Sequence, residues 1–136
     1  MDRKWLPSLG FLLDMLTITQ LKQSMIHDKR EEITKELENI VHDIQIVLGE
    51  NPGKQITANF LRDLIVLAQY NTHIWYNEKN WRDGIREGNN LELTHGLNQI
   101  RNLSKNKLST LIDGRKEFKK DNVEAFPEWV PSGYDK

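Results

Sequence analysis

Residues 28–49 read DKREEITKELENIVHDIQIVLG, and their apolar side chains fall at Ile33, Leu37, Ile40, Val41, Ile44 and Val47. Steps of three and four keep these residues on one side of a 3.6-residue helix, whereas a strand would alternate every second residue. Asp28 followed three residues later by Glu31 has the form of a capping box, and Gly49 is the expected stop. The segment is an amphipathic helix, the clearest in the chain.

The same period extends to both sides. Pro7 and Ser8 precede a run from Leu9 to about Ile26 in which Leu9, Leu12, Leu16 and Phe11, Met15, Ile18 form two overlapping stripes. A helix apolar on most of its sides belongs at the centre of a fold. Downstream, Asn51, Pro52 and Gly53 make a turn, and Thr57 can cap a third helix running to about Asp83. Its apolar line is Phe60, Leu64, Leu67, Ile74 and Trp81. Gly84 and Gly88 bracket a connection, Asn89 with Glu92 repeats the capping-box form, and Leu93, Leu97, Ile100, Leu108 and Leu111 mark a fourth helix ending before Gly114. No strand alternation, repeat or low-complexity tract appears. The expected fold is all-α, an up-down four-helix bundle over residues 1–114. The 115–136 segment carries Phe126, Pro127, Trp129, Pro131 and Tyr134, too rich in proline for a regular helix and too aromatic to hang in water. It is expected as an extended aromatic tail strapped over the bundle or onto a partner.

The chain has 136 residues, one ordinary domain, with 19 basic and 20 acidic side chains and a formal charge of -1. That balance argues against general nucleic-acid binding. Residues 28–50 carry seven acids against three bases and read as a solvated face, while residues 101–120 carry seven bases against two acids and could face an anion or a partner. Cysteine is absent, which removes disulfides and thiol chemistry and suits a cytoplasmic protein. The apolar stretch Trp5–Leu16 contains Asp14 and is too short to span a bilayer, so no membrane association is expected.

Polar residues interrupt two of the apolar faces. Asn71, Trp75, Glu78 and Arg82 step by four, three and four along the third helix, and Asn98, Arg101 and Lys105 step by three and four along the fourth. Ionisable groups on an inward face are costly unless paired, so these positions mark a buried network or a ligand site. Asp14 and Lys22, two turns apart on the first helix, could close the same network. Arg82, Arg101 and Lys105 against Glu78 would leave surplus positive charge and favour a phosphate or carboxylate. Asp14, if it joined, would reduce that surplus and favour a purely structural network. Trp75 is the aromatic placed to pack on a ligand ring.

Other chemistries find less support. Glu92 and His95 form a single Glu-x-x-His pair where a di-iron bundle needs two, and Glu38 with His42 is an isolated pair on an acidic helix, so no bound metal or cofactor is expected. The acids Glu31, Glu32, Glu36, Glu38 and Asp43 suggest a magnesium pyrophosphohydrolase, but Asp63, Glu78 and Asp83 on the next helix are too far apart to complete its clamp. Arg101-Asn102 begins like the Arg-Asn-x-x-x-His signature of small helical ribonucleases, yet Asn106 stands near the histidine's place and leaves no general base.

The opening Leu9-Gly10-Phe11-Leu12-Leu13-Asp14-Met15-Leu16-Thr17-Ile18-Thr19-Gln20-Leu21-Lys22 resembles the start of uncharacterised helical families from bacteria and their phages, where the pattern runs Gly-Glu-Leu-Ile-Asp-Lys-Ile-Thr-Ile-x-x-Ile-Lys. Asn71-x3-Trp75-x2-Glu78-x3-Arg82 and Asn98-Gln99-x-Arg101-Asn102 resemble further blocks of the same or related families. The chain departs from the pattern at Phe11, where an acid is usual, and at Met15, where a base is usual. The resemblance implies a helical fold and a shared polar network, and carries over no catalytic residue.

Two functions follow as expectations. One is binding of a small phosphorylated ligand, a nucleotide or sugar phosphate, through Arg82, Arg101 and Lys105, with Glu78 orienting the cations and Asn71 and Asn98 completing the site. The other is a non-enzymatic interaction module, a homodimer being one form, whose polar ladder fixes helix register. An enzyme would use Glu78 as general base, but nothing in the sequence supplies a substrate.

Overall fold

The computed structural model describes residues 6–85, 91–115 and 130–134. Four helices occupy them: α1 (Leu9–Met25), α2 (Arg30–Glu50), α3 (Ala58–Arg82) and α4 (Leu91–Ile112), with no strand among the described residues. The all-α bundle expected from the hydrophobic period is what forms. α1 is its centre and packs on all three other helices, whereas α2 packs chiefly on α1. α1 and α4 run antiparallel, since Gly10 meets Ser109 while Asp14 meets Arg101.

Two apolar clusters hold the helices together. Leu9 and Leu13 of α1, Phe60 and Leu67 of α3, and Leu108 and Ile112 of α4 form one, which Ile44, Val47 and Leu48 of α2 also join. The second lies between α3 and α4, around Val66, Tyr70, Ile74, Leu97 and Ile100. Burial of these side chains supplies the main drive to fold, roughly 1.5–3 kcal/mol for each fully buried large residue.

The helix ends show where local sequence signals held. Ser8 and Thr57 cap α1 and α3, their hydroxyl oxygens accepting the N–H of Phe11 and Phe60 at 3.2 Å. The capping box expected at Asp28 and Glu31 does not form. α2 starts one residue later than that motif requires, with Lys29 at the cap position and no side-chain cap bond. Glu31 and Glu32 still lie in the first turn, where negative charge complements the helix dipole. Gly49 is inside α2 and does not end it; Asn51 closes the helix, its side-chain amide donating to the Val47 carbonyl at 2.8 Å. Gly114 follows α4 at φ +69 and donates to the Ser109 carbonyl, the left-handed stop expected of glycine there. The expected cap Asn89 lies outside the described residues.

So do Phe126, Pro127 and Trp129 of the tail, but its end is described. Tyr134 is 1% exposed between α3 and α4, and its hydroxyl donates to Asp63 Oδ1 at 2.7 Å. Arg62 holds the preceding turn by donating to the Ser132 carbonyl at 2.6 Å and to its hydroxyl at 3.1 Å. Val130 packs beside Tyr134 on the second cluster. Burial, reinforced by the Asp63 carboxylate, pushes the Tyr134 phenol above its ordinary range, against the opposing effects of Ser104 and Arg62.

Candidate functional site

Asp14 sits in an apolar stretch of α1, yet it is 1% exposed. A buried carboxylate must be matched by donors, and these come from two other helices. Arg101 of α4 approaches it side-on, donating from Nε to Oδ1 at 2.9 Å and from Nη2 to Oδ2 at 2.6 Å. This two-point geometry is the strongest form of carboxylate recognition by a side chain. Asn71 of α3 donates from Nδ2 to Oδ1 at 2.9 Å, and from the same nitrogen to the Thr17 hydroxyl at 2.8 Å. Thr17 in turn donates to the Asp14 backbone carbonyl at 2.8 Å, so both protons of the Asn71 amide and the hydroxyl between them have fixed directions.

The cationic side of this node has a second member. Lys105, 5% exposed and one turn beyond Arg101, brings Nζ to 3.9 Å from Asp14 Oδ2, an ion pair without a close hydrogen bond. Its ammonium also lies 5.6 Å above the ring of Phe11, a cation–π contact. Asn98 accepts from Arg101 Nη1 at 3.3 Å and steadies the guanidinium from one turn away. Arg101 itself is the more accessible partner, with 28% of its side chain exposed.

Five of the expected site residues therefore meet at one place: Asp14, Asn71, Asn98, Arg101 and Lys105. The others do not. Glu78 and Arg82 are exposed on α3, Trp75 is half-buried one turn beyond Asn71, and Lys22 is half-buried in the last turn of α1. Among the described residues no hydrogen bond or ion pair joins Lys22, Glu78 or Arg82 to the node. The carboxylate at its centre is Asp14 rather than Glu78. Shared helical spacing places side chains on one face of one helix, and only a neighbouring helix makes that face an interior.

The polar line of α4 extends further than the sequence reading followed it. Lys105, Ser109 and Asp113 continue from Arg101 in steps of four, all toward α1. Ser109 accepts the Gly10 N–H at 2.8 Å and Asp113 accepts the Leu9 N–H at 2.8 Å, so side chains of α4 and of the residue just past its end satisfy the first amides of α1. The helices touch closely here because residue 10 is glycine: a Cβ would stand 2.3 Å from the Lys105 carbonyl oxygen and 2.7 Å from Ser109 Oγ. The same contact sets the height of Lys105 beside Asp14. Continuing the stripe past Lys105 in the sequence would have found Ser109 and Asp113.

Glu38, His42, Glu92 and His95 are all exposed. Among the described residues no three histidine or acidic side chains converge to hold a metal ion, and no helix is long and apolar enough to cross a membrane. No protein-family model matches the chain, and no curated protein or solved structure matches it either.

Proposed function

We propose that this chain is a non-enzymatic helical interaction module in which the Asp14 node fixes the relative register of α1, α3 and α4. The observation that carries this reading is the matching of one buried carboxylate by donors from two other helices, at 2.6 to 2.9 Å. A slip of one residue along any of these helices moves its donor by about 1.5 Å and rotates it by about 100°, stranding charge in the interior. A node of this kind adds little net stability over an apolar core, and its value lies in excluding other arrangements. Glu78, the candidate general base, is exposed and outside the node, which weighs against an acid–base enzyme built on it.

The test is thermal unfolding of the full chain against inorganic phosphate, nucleotides and sugar phosphates, with Arg101→Ala alongside. The register reading expects no compound to raise the melting temperature. A rise that disappears in Arg101→Ala would overturn it in favour of a small anionic ligand, because a ligand that binds only the native state must stabilise it.

A further inference from the structure

Asp63 of α3 is 9% exposed, and the Tyr134 hydroxyl at 2.7 Å is its only hydrogen-bond donor among the described residues. Asp14, the other buried carboxylate among them, takes its donors from the bundle itself, Asn71 of α3 and Arg101 of α4. The helices thus leave one interior acceptor to be matched by a segment from outside the bundle. That is costly in a core and ordinary in a binding site, where a few placed polar groups select the ligand.

The other contacts that hold residues 130–134, among the described residues, also come from α3 and α4. Arg62 donates to the Ser132 carbonyl and hydroxyl, and its guanidinium lies 5.6 Å from the centre of the Tyr134 ring. Lys107 of α4 brings its ammonium to 5.0 Å over the same ring, whose electron-rich face attracts both cations. Val130 packs on the cluster around Leu97 and Ile100. The segment is already shaped: the Tyr134 N–H donates to the Pro131 carbonyl at 3.0 Å, closing a four-residue turn with Gly133 at φ +82. Arg62, Asp63, Lys107 and Gly133 line one cleft of about 630 Å³ between α3 and α4.

We propose that the α3–α4 groove is a peptide-binding site that reads a tyrosine at the end of a Pro-x-Gly turn, that residues 130–134 fill it in cis, and that its partner is a polypeptide carrying the same turn, which competes with the tail. The proposal rests on the interaction-module reading and names its partner. Asp63 selects tyrosine over phenylalanine, because a ring without the hydroxyl leaves the carboxylate unmatched. Arg62 reads the turn through a backbone carbonyl, so the residue before the glycine matters less than the turn itself. A second copy of the chain is the poorer occupant, since its tail is already docked in its own groove. Joined to α4 through residues 116–129, the tail meets its groove at an effective concentration of about a millimolar. To stay docked about nine-tenths of the time, the same segment as a free peptide must bind at about 0.1 mM or tighter.

The probe is residues 130–136 as a labelled free peptide, Val-Pro-Ser-Gly-Tyr-Asp-Lys, titrated by fluorescence anisotropy against the full chain. The full-length Tyr134→Ala variant, whose own tail lacks the ring, should bind it with a Kd of about 0.1 mM or below. The unaltered chain should bind it at least tenfold more weakly, because its tail competes, and the same peptide with phenylalanine for tyrosine should bind Tyr134→Ala at least tenfold more weakly. Should circular dichroism show that Tyr134→Ala misfolds, Tyr134→Phe takes its place as receptor and should still bind the tyrosine peptide more tightly than the unaltered chain does. No saturable binding up to about 1 mM, equal binding to variant and unaltered chain, or equal binding of the two peptides would overturn the proposal. So would a dimer of the unaltered chain, seen by light scattering, that Tyr134→Ala abolishes, since it would give the groove to a second copy. Failure of peptide binding with no response to the anion panel removes this site alone, while a response to the panel removes the register reading beneath it.

Discussion

Replacing Gly10 by alanine adds one methyl group at the closest approach of α1 and α4. In an open helix that change is favourable, by up to about 1 kcal/mol, because alanine loses less backbone freedom than glycine. Here the new Cβ would lie 2.3 Å from the Lys105 carbonyl oxygen, 2.9 Å from its carbonyl carbon and 2.7 Å from Ser109 Oγ. Two of those atoms are backbone and cannot swing aside, so the helices must separate by about 1 Å to reach ordinary van der Waals distance. Overpacking of this kind costs about 1–3 kcal/mol. The separation also stretches the bonds from Gly10 N–H to Ser109 and from Leu9 N–H to Asp113, each 2.8 Å now and worth about 1 kcal/mol. The expected net loss is about 2–4 kcal/mol, or roughly 6–16 °C in melting temperature for a domain of this size. Gly49→Ala is the internal control. Gly49 lies within α2 with nothing inside 4 Å of its would-be Cβ, so the same chemical change there should be neutral or raise stability by up to about 1 kcal/mol. Urea unfolding followed by circular dichroism reads both variants. Equal and small effects at the two sites would refute the close α1–α4 contact and, with it, the placement of Lys105 beside Asp14.

Further outcomes follow from the capping of α1 and from the tail. Ser109→Ala, which leaves the Gly10 amide without its acceptor in a buried contact, should cost about 1–2 kcal/mol in the same unfolding assay. Tyr134→Phe keeps the ring but removes the bond to Asp63, and a loss of about 1–2 kcal/mol is expected. The pH dependence of Tyr134 has a definite sign. Its folded phenol holds its proton above the ordinary value of about 10, so the unfolded chain loses that proton first. The associated stability is complete below about pH 10 and falls as pH rises beyond it. Stability measured through the alkaline range should show that decline, and Tyr134→Phe should flatten it.

The helices were legible because their apolar residues repeat at helical period, and the cap at Thr57 was legible because a hydroxyl stands directly before the first turn; Ser8 caps α1 in the same way but was read only as preceding the apolar run. Asp28 misled because the capping box fixes spacing and not the starting residue, and α2 begins at Arg30. The α4 half of the node was visible as Asn98, Arg101 and Lys105 on one face. Its α3 half was visible only at Asn71. Glu78 and Arg82 share that face, but sequence periodicity holds no information about where a neighbouring helix leaves it uncovered. Thr17 bonds to its own helix's backbone and to an amide from another helix, and such partners leave no mark in the spacing of ionisable residues, whereas Ser109 and Asp113 lie on the extension of the α4 stripe, which the sequence reading stopped short of following. Tyr134 was expected to be covered, while its hydrogen bond to Asp63 and its ring contact with the Arg62 guanidinium, some seventy residues away in the chain, depend on tertiary structure.

The coupling between Asp14 and Arg101 tests the central claim most directly, through a double-mutant cycle of Asp14→Leu, Arg101→Met and the pair, read by urea unfolding. If the two side chains form one buried node, each single change strands a charge and costs about 3–5 kcal/mol, while the double change costs less than the sum by at least about 1–3 kcal/mol. Losses that simply add, within about 0.5 kcal/mol, would mean that the residues act independently and that no shared node sets the register of these helices.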